Sequence, residues 1–171
     1  MNSSFDGRPV RIELKSHRLL IIDPLALDGL RDQLAAIGAA EAHEHVALVK
    51  ALAGLRVGLH EVEHFQPGTY ELDLDSFEQA DLGDATPEVF EVDSGAVVII
   101  DLTILEAVAR AFTWERYDAL LQSPPGDDSA VDALIHEVGS GGFAIVSADA
   151  AKPFSGDGAF RLKHDHPVRV A

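Results

Sequence analysis

Two short runs of branched apolar residues punctuate the chain, Leu19–Ile22 and Val97–Ile100, and each ends in an aspartate, Asp23 and Asp101. Unbroken apolar runs of this length predict strands covered on both faces. Behind each run the pattern changes period. Leu27, Leu30 and Leu34 are matched 78 residues later by Leu105, Val108 and Phe112, a three-then-four spacing that draws one stripe along a helix. Each aspartate therefore stands where strand gives way to helix. A carboxylate there accepts bonds from the orphan N–H groups of the first turn and complements the positive end of the helix dipole. Pro24 suits the first helical position.

The same alternation of patterns continues in both halves. Residues 41–53 read as a second helix, 55–65 as a strand, and Thr69–Leu74 as another beyond the Pro67-Gly68 turn. In the second half, 114–121 and Ala130–Val138 read as helices separated by a Pro- and Gly-bearing loop, with Gly139 placed to end the latter. Phe143–Ala148 and Ala159–Lys163 read as strands. Gly68-Thr69-Tyr70-Glu71-Leu72 is echoed by Gly158-Ala159-Phe160-Arg161-Leu162, now 90 residues on. The pattern predicts an α+β fold: a single pseudo-symmetric domain of two related strand-helix-helix-strand-strand halves, about 10–75 and 90–165, joined by an acidic connector at about 75–92.

Charge adds a restriction. The net charge is −16, and no Lys or Arg occurs between Val57 and Ala109, a stretch holding 13 acidic residues. Phosphate backbones require a basic surface, so nucleic acid is not the expected partner. A docking face for a basic protein is, and a solvated acidic surface is the plainer alternative. No apolar stretch approaches the roughly 20 residues that span a bilayer. The start of the chain lacks the basic, apolar and small-residue segments of a secretory signal, and there is no cysteine; both suit a cytoplasmic location.

Val92-Asp93-Ser94-Gly95 leads into an apolar strand, then Gly141-Gly142-Phe143-Ala144-Ile145-Val146-Ser147, then Gly156-Asp157-Gly158-Ala159-Phe160. This order resembles an uncharacterised bacterial and phage family with a DSG, an apolar strand, Asp-Pro, a Gly-led strand and GDG before an aromatic. The resemblance covers about the second half. It implies a shared fold and no activity, and Leu102 stands where the family usually has Pro.

Several residues invite a chemical reading. Asp93, Asp101 and Asp157, if brought together, would suit a hard cation such as calcium or magnesium, although all three also fit caps and turns. His164 and His166 would share a face on a strand, as a two-histidine metal clip does. His60-Glu61-Val62-Glu63-His64 matches the H-x-x-E-H of inverted zinc peptidases, whose histidines need one helix face. On a strand they would be about 13 Å apart, too far for one zinc. The Gly139-Ser140-Gly141-Gly142 stretch lacks the lysine of a phosphate loop. No spacing links a serine to a histidine for nucleophilic catalysis.

These readings favour a non-enzymatic cytosolic binding protein, inhibitor- or immunity-like, with a basic protein partner and no cofactor required. A metal-binding protein or metal-dependent hydrolase is the alternative.

Overall fold

The computed structural model describes residues 10–23, 29–32, 57–73, 76–80, 89–92, 96–111, 113, 115–116, 118–119, 129–139, 141–147, 158–163 and 165–170. Their strands are β1 (Val10–Leu14), β2 (Arg18–Ile22), β3 (Gly58–Glu61), β4 (Gly68–Leu72), β5 (Phe77–Gln79), β6 (Phe90–Val92), β7 (Ala96–Asp101), β8 (Phe143–Ser147), β9 (Gly158–Leu162) and β10 (Val168–Arg169). A 3-10 turn, Leu102–Ile104, leads into helix α1 (Leu105–Ala111), and α2 spans Ser129–Val138. The class is mixed α+β, with every sheet antiparallel.

The central sheet has the order β3-β2-β7-β8. Its two inner strands are the apolar runs themselves, paired with Ile21 opposite Ile99 and Leu20 opposite Ile100. Successive strand residues point to opposite faces, and here both faces are covered. Leu20, Ile22, Val98 and Ile100 pack with Leu30, Leu105, Val108 and Leu134 on the helical side. Leu19, Ile21, Val97 and Ile99 pack with Ile12, Tyr70, Phe77, Phe90 and Phe160 on the other. Two three-stranded sheets supply that second side, β1-β4-β10 and β5-β9-β6. An edge-to-face contact between Phe77 and Phe90, with centroids 5.9 Å apart, lies in this second core.

β1 shows the opposite signature, strict alternation: Val10, Ile12 and Leu14 are buried while Arg11 and Glu13 face solvent. Helix α2 ends at Gly139, which has a φ of 81° and whose N–H donates to the Ile135 carbonyl at 2.8 Å. A left-handed residue at that position closes a helix, and glycine adopts it without a Cβ clash.

Several elements depart from the sequence pattern. The strand expected over 55–65 stops at Glu61, and residues 63–64 turn, with His64 at a φ of 51°. The stretch read as an acidic connector, 75–92, carries two strands, β5 and β6, both hydrogen-bonded to β9. β1 and β10 add two strands to those that the pattern predicts, and both pair with β4. Part of the predicted first helix lies outside the described residues, as does the whole 41–53 helix.

Candidate functional site

Asp101 is 1% exposed and ends β7. One carboxylate oxygen accepts the Thr103 N–H at 3.0 Å, capping the 3-10 turn, and the other accepts the Lys15 N–H at 2.7 Å. Lys15 lies in the bend between β1 and β2, so one carboxylate ties that bend to the start of the helical segment. Its own N–H donates to the Gly142 carbonyl at 2.8 Å. A capping role was expected; the long-range bond to Lys15 was not, since 86 residues separate the partners. Asp93 and Asp157, its proposed companions at a cation site, lie outside the described residues. Asp23 is likewise buried.

A cleft of about 320 Å³ opens where the turn after β3 meets the turn before β10. Glu63, His64, Tyr70, Asp165, His166 and Val168 are among the residues that line it. Its floor is braced by short hydrogen bonds. The Tyr70 hydroxyl donates to the Gln66 carbonyl at 2.7 Å and receives the Gln66 N–H at 3.2 Å, fixing the turn over the ring. Phe65 stacks on Tyr70 at an interplanar angle of 8°. His60, 2% exposed, bonds through Nε2 to the His166 carbonyl at 2.9 Å. A carbonyl only accepts, so Nε2 carries the proton in this bond.

The His166 side chain turns the other way, its Nδ1 lying 2.9 Å from an Asp165 carboxylate oxygen. That hydrogen bond holds the Asp165 carboxyl below its usual range. The sign follows: a depressed carboxylate adds stability above its unfolded pKa and loses it as pH falls through the folded value. Because Asp165 is fully exposed, solvent screening keeps that contribution small. In His166→Ala the Asp165 carboxyl should titrate at a higher pH than in the wild type, read by carbon-detected NMR; an unchanged midpoint would show that the pair does not persist in solution.

The expected two-histidine clip assumed that both residues sat on one strand. His166 instead follows a turn, its N–H bonded to the Lys163 carbonyl at 3.0 Å, between the end of β9 and the start of β10. His164 lies outside the described residues. In the H-x-x-E-H stretch, His60 is buried in β3 while Glu63 and His64 occupy the turn beyond it, so no helix face unites the histidines. Among the described residues no group of three or more His, Asp or Glu side chains is arranged to hold a metal ion.

No family model, curated protein or solved structure matches this chain. Its site must therefore be read from its own chemistry.

The acids of the base-free stretch are not all unopposed. Glu71 faces Arg11, Glu61 faces Arg18 and Glu78 faces Arg161, at 3.4, 3.8 and 2.7 Å. Each of these is a directly opposed cross-strand pair. Reading charge along the chain missed this, because the arginines come from outside the stretch. Around the cleft, Glu63 and Asp165 remain exposed to solvent. Val168, which lines the cleft, and Val170 are 48% and 44% exposed, on and just after β10. Among the described residues, no helix is long and apolar enough to cross a membrane.

Proposed function

We propose that this chain is a non-enzymatic interaction protein that binds a cationic polypeptide partner at the cleft, and that its fold is a pseudo-dyad of two related halves. The pairing registers support the second part. Ile21 lies opposite Ile99, its own counterpart 78 residues on, as a two-fold axis through that pair would require. Gly58 opposite Ile21 corresponds to Ala144 opposite Ile99. The Ile12–Tyr70 pair corresponds to Phe90–Phe160, and Val168–Glu71 corresponds to Glu78–Arg161. Even turn bonds repeat: Ser76 N–H to Asp73 carbonyl matches His166 N–H to Lys163 carbonyl. Matching register across five strands favours related halves over a chance pair of strand-helix units.

The difference between the two ends carries the functional reading. At the cleft end stand His60, Tyr70, His166 and Arg169; their counterparts under the dyad are Val146, Phe160, Ser76 and Gln79. Two histidines and an arginine thus stand at one end where the other carries a valine, a serine and a glutamine. Buried polar groups are costly unless they are bonded, so a fold keeps such an end where it serves recognition. The net charge of −16 sets the sign of the partner. Cross-strand pairing occupies Arg11, Arg18 and Arg161 without altering that total, and long-range attraction would raise the rate of encounter with a basic chain.

A fluorescent peptide alternating lysine and valine tests this reading. Its anisotropy should rise on titration with the full chain at about 20 mM salt and fall back at about 0.5 M, where screening shortens the reach of charge to a few ångströms. A glutamate–valine peptide should give no signal. Absence of binding at low salt, or equal binding of both peptides, ends the proposal.

A further inference from the structure

We infer that the partner enters as an extended strand added to the open edge of β10, a placement that rests on the cationic-partner reading above. Among the described residues, sheet order makes β10 the outer strand of β1-β4-β10. The Val170 N–H donates to the Thr69 carbonyl at 2.8 Å, so Val170 and Val168 direct their backbone groups towards β4. Strand residues alternate, and the N–H and carbonyl of Arg169 between them therefore point outward, to the edge. An incoming strand can take both.

The side chains at this edge describe the occupant. Val168 lies opposite Glu71 on the solvent face, with Val170 on the same side, and these two are the exposed large hydrophobic residues among those described. Arg169 lies opposite Tyr70 on the other face, and both Val168 and Arg169 border the cleft. A docked strand would set alternate side chains beside the valines and the intervening ones over Glu63, His64 and Asp165. Its expected pattern is apolar residues alternating with lysine or arginine. Exposed edges ordinarily invite self-pairing, and natural proteins blunt them with charge. Here two chains of net charge −16 repel, which disfavours a second copy and selects a basic strand. Main-chain bonds would supply affinity and the alternating contacts specificity, the logic of strand addition.

The same lysine–valine peptide and the full chain, wild type and Val168→Glu/Val170→Glu, distinguish the site from the charge. The variant is two charges more negative, so binding driven by charge alone would strengthen. Docking on the β10 edge predicts a loss of about tenfold or more in affinity, since strand contacts are replaced by carboxylates. Hydrogen exchange on the wild type provides a readout independent of mutation: the Arg169 amide should gain protection when peptide is added. Tight binding that survives the double substitution, with Arg169 unprotected, overturns the edge placement and leaves the cationic-partner reading standing. No peptide binding at all overturns both. A dimer in sedimentation that the variant dissociates overturns the choice of occupant.

Discussion

Asp101→Ala is expected to destabilise the protein by about 3 kcal/mol, seen as a lower urea midpoint at unchanged slope. The carboxylate is 1% exposed and satisfies two backbone N–H groups, those of Thr103 and Lys15, from segments far apart in the chain. Alanine leaves both donors unmet. Losing a cap alone costs about 1 kcal/mol, and each buried unsatisfied donor about 1–3 kcal/mol, so the combined loss exceeds that of an ordinary cap. Asp101→Asn retains a single acceptor oxygen and should fall between the two. Peptide binding by the folded variant should be unaffected, because the residue lies away from the cleft-lining set. A midpoint unchanged in Asp101→Ala would mean that the Lys15 bond does not form.

Ile21→Ala and Ile99→Ala should each cost about 3–4 kcal/mol, the usual range for removing a fully buried branched side chain. Both residues are 0% exposed, both belong to the core beneath the outer sheets, and they face each other across the β2–β7 ladder. If the halves are related by a dyad through this pair, the two single substitutions should agree to within about 0.5 kcal/mol. The double substitution should not be additive, because each enlarges the same space. Denaturant unfolding of the three variants measures this. One single cost under about 1 kcal/mol, with the other large, would contradict equivalent environments.

The elements that could be read in advance were those whose pattern is set by their own neighbours in sequence. Leu19–Ile22 and Val97–Ile100 showed no alternation because one face meets helices and the other meets sheets, and that absence was itself the signal. Val10–Leu14 carries a clear two-residue alternation, but over only five residues. β5 and β6 are three residues long and surrounded by acids. Nothing local distinguishes them from a connector; their strand state comes from β9, where Arg161 offsets Glu78. The cleft was less legible still. His60 and His166 meet across 106 residues, and the bond runs to a backbone carbonyl, which no side-chain motif encodes. Asp101 was recognisable as a cap because its Thr103 partner is two residues away, whereas its Lys15 partner required the β1–β2 bend to be placed beside the end of β7.

β4 has neighbours from opposite extremes of the described chain, β1 at residues 10–14 and β10 at 168–169, while β5, which follows it, leaves to join β9. During synthesis the first outer sheet therefore stays incomplete until residues 168–169 have left the ribosome. Pairings of such long sequence separation are slow to form, because the entropy of closing the loop must be met before the contacts exist. Until then the nascent chain carries an unfinished edge on β4, and that interval exposes it to mispairing with another copy.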